Sequence, residues 1–326
     1  MKGNFLKKLI IIFLVFVGIG ALLKMAGDFF GESEKKVSAK NTILHLDMNG
    51  VILNGKRFLT NLKKYKDDNR IKAIVIDINS PGGAVGPSQE IYHEIKKVRD
   101  ELKKPVICVT TGMMASGAYY SAVACDKIVA APGALVGSIG VIMEFANLEK
   151  LYDWAKVSRY SITSGKFKDS GAEYRGMRDD ERALFQSMIN EVYGQFKGTV
   201  MKERKLKEDV VNEYADGRVF TGAAAVKLGF ADKEGFFDDA VKLAAETAKL
   251  GDNYEVFEIP KKKMSIFDFG GKDVEDDLNS LADYADVLEG KAPGGFSGVN
   301  VESAVKYLLR AQYLNQPLYM MPGYWE

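Results

Sequence analysis

Two short segments of the chain contain residues suited to acyl transfer. Residues 79–83 (NSPGG) end an apolar stretch with two consecutive glycines, whose backbone freedom lets a loop point N–H groups at an oxyanion. Ser116 lies between small residues at a predicted strand-to-helix junction, where the helix N-terminus favours developing negative charge. Alone, such a serine is typical of a helix N-cap and such glycines of a tight turn. Together they favour a nucleophile, Ser116, that faces an oxyanion loop.

The general base is the residue that this arrangement lacks. Both histidines, His45 in the first predicted strand and His93 in the helix after the glycine loop, are predicted to be structural. A lysine can act instead if its pKa falls from about 10.4 to about 7.5, which costs ~4 kcal/mol and requires burial. Residues 164–169 (SGKFKD) offer Lys166 and Lys168 at the end of a predicted strand, where parallel sheets carry sites. Side-chain chemistry alone selects neither lysine.

Strands and helices alternate along the middle of the chain. Residues 71–78 are almost wholly apolar and rich in β-branched side chains, which predicts a strand buried on both faces. The alternation predicts βαβ units, a parallel sheet and therefore an α/β fold. Thr221 is a predicted N-cap and Gly229 a predicted helix stop. Further strands are predicted over 42–47, 105–110, 127–130, 136–143 and 159–164, and helices over 87–103, from 116, and over 147–156, 179–204, 236–247 and 299–313.

The composition excludes several classes of function. The formal net charge of this 326-residue chain is +1, so its overall charge does not favour a nucleic-acid partner. Cys108 and Cys125 have apolar neighbours and are predicted to be buried free thiols rather than a disulfide. The sequence contains no cluster of cysteine and histidine with metal-ligand spacing. We therefore expect neither a metal nor another cofactor.

The N-terminus predicts a membrane anchor. Lys2, Lys7 and Lys8 precede fifteen uncharged residues, 9–23, and the residues up to 30 extend this segment toward the ~20 that a span requires. A cleaved signal peptide is the alternative. The basic start orients the N-terminus toward the cytoplasm. We expect a single-pass protein of the cell membrane, with residues from about 40 onward on the extracytoplasmic side.

Four segments, in a specific order and spacing, carry a family resemblance. Residues 79–83, 114–120, 137–141 and 164–169 resemble those of the signal peptide peptidase A (SppA) family. The resemblance covers about residues 40–250 and implies a membrane-anchored serine protease with a Ser/Lys dyad on a ClpP/crotonase-type fold. It divides the chain into an anchor (1–30), a linker (31–41), a catalytic domain (42–250) and a C-terminal extension (251–326) with a helix and an apolar tail.

The resemblance also implies roles by motif position. Ser116 would be the nucleophile and Lys168 the general base, and Ser138 would hydrogen-bond the lysine amine and orient it. The Gly83 N–H would donate to the oxyanion, with the Gly117 N–H as a second donor.

Two residues beside these positions qualify the assignment. Lys166 lies two residues before Lys168 and would point to the opposite side of an extended segment, so it should not replace Lys168. Ala118 stands where the family commonly has a second glycine. This change narrows the floor of the site and removes no catalytic group.

Oligomerisation and substrate class follow from the resemblance as further expectations. The short bacterial form builds ring-like homo-oligomers, in which Ser116 and Lys168 of one site would come from neighbouring subunits. An apolar groove would suit hydrophobic peptides such as remnant signal peptides. The aromatic tail, residues 317–326, would dock in that groove, on a neighbour or on its own subunit.

Two other hypotheses remain at this point. One is a crotonase-like enzyme that acts on acyl-thioesters and needs no Ser/Lys pair. The other is a catalytically inactive oligomer that binds peptides or membrane partners, which only an activity measurement separates from a peptidase.

Overall fold

A six-stranded parallel sheet forms the centre of the fold. The computed structural model describes residue 37, residues 39–260 and the backbone of residues 318–320. The strands of this part of the chain are β1 (Thr42–Asn49), β2 (Ile71–Asn79), β3 (Gly82–Ala84), β4 (Val106–Thr110), β5 (Met113–Ala115), β6 (Lys127–Ala130), β7 (Leu135–Gly137), β8 (Val219–Thr221), β9 (Lys233–Glu234), β10 (Glu255–Glu258) and β11 (Leu318–Met320). The main sheet has the order β10-β1-β2-β4-β6-β9, and all its pairs are parallel.

Helices cover both faces of this sheet. They are α1 (Lys56–Tyr65), α2 (Val85–Asp100), α3 (Gly117–Ala122), α4 (Glu149–Ala155), α5 (Asp179–Arg204), α6 (Glu208–Tyr214), α7 (Gly222–Leu228) and α8 (Phe237–Thr247). On one face, α8 packs the small side chains Ala240 and Ala244 against Val75 and Val109 of the sheet. The other face carries the larger core. The predicted α/β fold with a mainly parallel sheet is confirmed.

The longest helix, α5, has the bounds that the sequence predicted. Acidic residues occupy its first turn and basic residues its last turn, which suits the helix dipole. Its predicted apolar face is only half covered, because Phe196 is completely buried whereas Leu184 and Met188 are 38% and 41% exposed. The first half of α5 therefore offers apolar surface that this chain leaves in solvent.

The carboxyl ends of three neighbouring strands lead into the segments that the sequence singled out. β2 runs into residues 80–83, β4 into β5 and Ser116, and β6 into β7 and Ser138. Because parallel strands end at the same edge of a sheet, these segments meet. A smaller sheet, β5-β7-β8, forms there.

Several expectations about local structure are wrong. Residues 159–164 form no strand, and residues 159–168 are all exposed. Cys108 and Cys125 form a disulfide, with Cα atoms 6.0 Å apart. The fold brings together two residues that lie 17 apart in sequence, which their apolar neighbours did not reveal. At the edge of the main sheet, β10 pairs with β1.

The membrane-anchor prediction concerns residues that the structure does not describe. Among the described residues, no helix has both the length and the apolar character needed to cross a membrane. The predicted anchor, residues 1–30, and the predicted helix over 299–313 both lie outside them.

Candidate active site

Ser116 lies on a strained turn between β5 and α3. Its backbone angles are φ 50° and ψ −115°, a region that side chains rarely occupy and that is typical of functional positions. The turn is fixed because the Ser116 N–H donates to the Gly137 carbonyl at 2.7 Å and the Ser116 carbonyl accepts from the Tyr120 N–H at 2.8 Å. A serine on such a strand-to-helix turn has the geometry of a nucleophile elbow.

The Ser116 hydroxyl is buried and unpaired within the described chain. Ser116 is completely inaccessible to solvent, and its Oγ has no hydrogen-bond partner among the described residues. Buried hydroxyls are normally satisfied, and the strained turn distinguishes Ser116 from Thr110 and Ser170, whose hydroxyls also lack a partner among the described residues.

Ser138 lies beside Ser116 because of strand register. Ala115 of β5 pairs with Gly137 of β7 in a parallel ladder, so the two serines occupy matching positions at the ends of these strands. Ser138 also has a positive φ, 51°, and is 3% exposed. Its N–H donates to the Arg218 carbonyl at 2.8 Å. The structure therefore brings these two predicted site residues together.

The glycine loop is tied to the same junction by backbone hydrogen bonds. The Ser80 N–H donates to the Met113 carbonyl at 2.8 Å, and the Ala115 N–H donates to the Ser80 carbonyl at 3.1 Å. The Gly82 N–H donates to Ser80 Oγ at 3.2 Å. β3 also contacts α3. The loop is thereby held against the strand that delivers Ser116.

Gly83 directs its peptide groups away from its neighbour Ile52. The Ile52 N–H bonds the Gly82 carbonyl and the Ala84 N–H bonds the Ile52 carbonyl, both at 2.8 Å. The Gly83 N–H and carbonyl therefore point to the opposite edge. A Cβ on Gly83 would lie 2.1 Å from the Ile52 carbonyl oxygen, so glycine is required by packing as well as by any role in binding.

That opposite edge of β3 carries an extended segment of the same chain. β11 pairs with β3 in antiparallel register, with Tyr319 opposite Gly83 and Met320 opposite Gly82. The tail was predicted to dock in the groove, on a neighbour or on its own subunit. In the structure, the backbone of residues 318–320 lies at β3 of its own chain. The edge next to Ser116 accepts a peptide backbone as an added strand.

Gly117, the predicted second oxyanion donor, is the first residue of α3. The first N–H groups of a helix have no acceptor inside the helix, so the Gly117 N–H points out of the N-terminus beside Ser116. The structure thus groups Gly83, Gly117, Ser116 and Ser138, while their catalytic roles stay predictions.

Lys168 stands apart from this group. Residues 164–170 form turns, and Lys168 is exposed. Its N–H donates to the Gly165 carbonyl at 3.1 Å, but within the described residues its amine makes neither an ion pair nor a hydrogen bond. The expectation that Lys166 and Lys168 alternate along an extended segment is wrong, because the segment turns.

The two lysines differ instead in their partners. Lys166 Nζ lies 2.6 Å from Asp180 Oδ2, so its ammonium is paired to the first turn of α5. This contact, rather than strand alternation, distinguishes Lys166 from Lys168.

Sequence reasoning missed a network of charges next to Lys168. Glu181 of α5 is completely buried and accepts two hydrogen bonds from Arg175, at 2.5 and 3.0 Å. The hydrogen bond from Arg175, opposed by burial, holds the pKa of Glu181 below its usual value. The one signal in the sequence was the position of Glu181 in the first helical turn, which suits a capping carboxylate.

Neither histidine joins this site. His93 is exposed on α2. His45 Nε2 lies 3.4 Å from Asp47 Oδ1, and His45, Asp47 and Asp77 place potential ligand atoms within 4.8 Å of one another. Burial works to lower the pKa of His45, but the contact with Asp47 and the nearby carboxylates raise it. His45 thus lies beside carboxylates of β1 and β2, and its structural role stays a prediction.

An exposed apolar surface follows the site in sequence. We name it the apolar shelf; within it, Trp154 is 80% and Ile162 is 95% exposed. Its members are Leu151, Trp154, Val157, Tyr160, Ile162 and Phe167. Six exposed large apolar side chains within seventeen residues of sequence are a candidate contact surface for a protein or a membrane.

Known proteins resemble this chain over most of its length. The model of Peptidase family S49 matches residues 99–251, and that of Clp protease matches residues 55–135. A Synechocystis sp. protein named as a candidate protease (slr0021) is 36% identical over 257 residues, 78% of this chain and 91% of that protein. An Enterococcus faecium protein named as a candidate signal peptide peptidase SppA is 31% identical over 248 residues, 72% of each chain. The chloroplastic serine protease SPPA of Arabidopsis thaliana is 32% identical over 208 residues, 64% of this chain and 30% of that one.

A serine on a strained elbow of a ClpP-like α/β fold, with such relatives, defines a serine protease. The chain belongs to the SppA family of serine proteases, peptidase family S49.

Proposed function

We propose that the protein is a membrane-anchored endopeptidase in which Ser116 is the nucleophile and Lys168 the general base. One observation carries the proposal. The buried Ser116 hydroxyl has no hydrogen-bond partner within the described chain, and the exposed Lys168 amine is likewise unpaired there. In the proposed arrangement, Lys168 of one subunit is the base for Ser116 of a neighbouring subunit.

In the proposed reaction, Lys168 accepts a proton and returns it in each of two steps, acylation and deacylation of Ser116. Ser116 Oγ attacks the scissile carbonyl and passes its proton to Lys168 Nζ, forming a tetrahedral oxyanion. Collapse of this intermediate expels the amine product, which takes the proton from Lys168 and leaves an acyl-enzyme. Water then attacks the ester with Lys168 again as base, and Ser116 leaves with the proton. Ser138 would hold the lysine amine in line through its hydroxyl.

The oxyanion and the substrate backbone would use the edge of β3 that β11 occupies in this structure, so β11 would have to leave before a substrate binds. The Gly83 N–H points to this edge, and the Gly117 N–H lies at the start of α3. Two such donors stabilise the tetrahedral intermediate without reorganisation. Because β11 already pairs with β3 as an antiparallel strand, we infer that substrates bind in the same way, as an extended strand added to a sheet edge.

Lys168 is the better base of the two neighbouring lysines. The Lys166 amine is engaged by Asp180, with Nζ 2.6 Å from Oδ2, so it would have to leave this partner to act on Ser116. Lys168 has no such carboxylate contact among the described residues, so burial at a subunit interface would favour its neutral form.

We further propose that the protein assembles into a homo-oligomer with shared sites. The apolar shelf lies on residues 151–167, immediately before Lys168 in sequence. Covering this surface with a second copy would remove apolar area from water and exclude water from the lysine. The assembly thus supplies the desolvation that a lysine base requires.

The proposed substrates are hydrophobic peptides, such as signal-peptide remnants, on the extracytoplasmic face of the cell membrane. This choice rests on the uncharged segment 9–23 and on relatives that carry the SppA name. An anchored protease would meet peptides released into the same bilayer.

Peptide hydrolysis by the full-length protein in detergent tests the proposal. With apolar fluorogenic peptides, we expect Ser116→Ala and Lys168→Ala to abolish turnover, by a factor on the order of 10⁴ or more. Lys166→Ala is the matched control and should keep most of the activity. Retained activity in Lys168→Ala together with loss in Lys166→Ala would reverse the assignment of the base.

Mixed oligomers test whether sites are shared. Neither Ser116→Ala nor Lys168→Ala is active alone, but co-assembled subunits should regain activity because one intact serine meets one intact lysine. Confirmed mixed oligomers without activity would contradict shared sites. An assembled wild-type protein that cleaves no peptide would favour the inactive binding protein, and turnover of acyl-thioesters alone would favour the crotonase-like enzyme.

A further inference from the structure

The turn that carries Lys168 is tied to the start of α5 by charged side chains. We propose that Arg175 and Glu181 are positioning residues, which fix the backbone on both sides of Lys168 and leave its amine free to react. The inference rests on the proposed function of Lys168 as general base. Neither residue would touch the reacting atoms; both would act through the placement of Lys168.

Arg175 joins the helix to the residue that follows Lys168. Its Nη1 and Nη2 donate to Glu181 Oε2 and Oε1 at 3.0 and 2.5 Å. The same guanidinium donates from Nη2 to the Asp169 carbonyl at 3.1 Å and from Nε to Asp169 Oδ2 at 3.3 Å. A planar guanidinium with several fixed donors is suited to such a bridge, whereas an ammonium is not.

A second guanidinium holds the other side of Lys168. Arg178 Nη2 donates to the Lys166 carbonyl at 2.7 Å and lies 2.8 Å from Glu181 Oε1. The Arg178 N–H also donates to Glu181 Oε2, at 3.0 Å. The carbonyls of residues 166 and 169, which flank Lys168, are thus bonded to two arginines that share one carboxylate.

The burial of Glu181 makes this arrangement specific. Glu181 is completely inaccessible to solvent, and a buried carboxylate is stable only with its partners in place. The two arginines and the two carboxylates carry equal and opposite charge, so the network adds no net charge beside the lysine. It can therefore set the position of the amine without holding a proton on it.

The pH dependence of the base should report on this balance. The charged groups that pair with one another on the turn of Lys168 and at the start of α5 are Lys166, Asp169, Arg175, Arg178, Asp180 and Glu181. Removal of one positive charge from this set leaves excess carboxylate, which favours the ammonium form. The acid limb of the pH–rate profile then moves to higher pH.

Two substitutions of Arg175 in the full-length protein test the proposal. In Arg175→Gln we expect kcat to fall ~10–100-fold with KM changed by less than about threefold, because a base displaced by ~1 Å transfers protons poorly. Its acid limb should also move to higher pH. Arg175→Lys restores the charge but not the bridge, so it should return the acid limb to its original position and recover only part of kcat.

Arg204→Gln is the matched control. Arg204 is also mostly buried and donates to Asp232 Oδ2 at 2.7 Å, in an ion pair on the last turn of α5. Its loss should lower the melting temperature and leave the pH profile in place. If Arg175→Gln behaves like Arg204→Gln, with lower stability but unchanged kcat and pH profile, the Arg175 network is purely structural and the inference is overturned.

Hydrogen–deuterium exchange separates this inference from the proposed function. Exchange of the peptide over residues 164–170 should accelerate in Arg175→Gln and stay at the wild-type rate in Arg204→Gln. This result does not depend on catalysis, so it can be read even in an inert protein. Unchanged exchange in Arg175→Gln would refute the positioning role, whereas inactivity of Lys168→Ala and wild type alike would instead refute the proposed function.

Discussion

The two halves of the proposed site are held in place by different forces. Backbone hydrogen bonds between strands fix Ser116 and Ser138, which are buried at the ends of β5 and β7. Side-chain ion pairs fix the turn around Lys168, which stays exposed. The first half is complete within one chain, while the second presents its amine to solvent.

This difference indicates where control over catalysis lies. A backbone ladder inside a packed core holds atoms closely and changes little with pH or salt. The ion pairs of the turn depend instead on the charge of their carboxylates, Asp169 and Glu181, so they respond to pH. In the proposed mechanism, the fold therefore supplies a permanent nucleophile, and assembly supplies the base. Four measurements can break or sharpen this contrast.

The largest expected effect comes from breaking the serine half at Gly83. A Cβ there would lie 2.1 Å from the Ile52 carbonyl oxygen, so β3 has to move in Gly83→Ala. The N–H of residue 83 would then no longer reach the oxyanion. We expect kcat to fall by a factor on the order of 10²–10³. Steady-state kinetics on an apolar peptide gives this value.

Gly86→Ala serves as the control for that measurement. Gly86 lies in α2, and a Cβ there would meet no atom within 4 Å. Its activity should stay within about twofold of wild type, with stability raised by about 0.5–1 kcal/mol. Wild-type kcat in a folded Gly83→Ala protein would remove Gly83 from the mechanism.

The second effect concerns the exposed half and the apolar shelf. Trp154 is 80% exposed, and a buried tryptophan at an interface is typically worth about 2 kcal/mol or more, ~30-fold in association. Trp154→Asp should dissociate the oligomer and lower activity at nanomolar concentration. Size-exclusion chromatography with light scattering measures the assembly. Leu102→Asp, at an exposed leucine outside the shelf, should leave the oligomeric state and the activity unchanged. Equal dissociation in the two variants would contradict an interface at the shelf.

The third effect tests the hydroxyl that links the halves. In Ser138→Ala the lysine loses its orienting acceptor, and we expect kcat to fall ~10-fold, the effect of one lost hydrogen bond to a charged group. Thr110→Val is the control, because Thr110 Oγ1 is buried without a partner among the described residues. Peptide hydrolysis should be near the wild-type rate in this control. An equally active Ser138→Ala protein would leave Ser138 without a catalytic role.

The smallest effect is a change of stability with pH in the lysine half. The Arg175 hydrogen bond lowers the pKa of Glu181 below 4.5, so its stabilisation is complete above that pH and is lost as pH falls through the folded-state pKa. Glu181→Gln should lower stability by about 3 kcal/mol at pH 7. Thermal unfolding from pH 7 to pH 3 should show the difference from wild type shrinking below about pH 4. A constant difference across this range would mean that the charge of Glu181 is not what stabilises the turn.

The elements that local sequence pattern determines were predicted well. The bounds of α5, residues 179–204, match the prediction, because its polar caps and apolar spacing lie within the helix itself. Thr221 accepts from the Ala224 N–H at 3.2 Å as the N-cap of α7, and Gly229 ends that helix with φ 85°. Both predictions are confirmed, since capping depends on residues three or four positions apart.

Features that depend on distant partners were missed. The strand predicted over 159–164 has suitable residue types, but no neighbour pairs with it. The disulfide of Cys108 and Cys125 depends on the path of α3 between them. The Arg175–Glu181 pair and the strain at Ser116 likewise appear only once the backbone is folded. The residue types of the site were therefore predictable, and the contacts that hold them were not.

The pairing of Ala115 with Gly137 has a consequence for the fidelity of folding. Slipping a strand by one residue turns every side chain to the opposite face, and here it would also separate Ser116 from Ser138. If both serines act as proposed, a chain trapped with that error would be inactive. In the proposed mechanism, activity is thus restricted to molecules in which this strand pairing is correct.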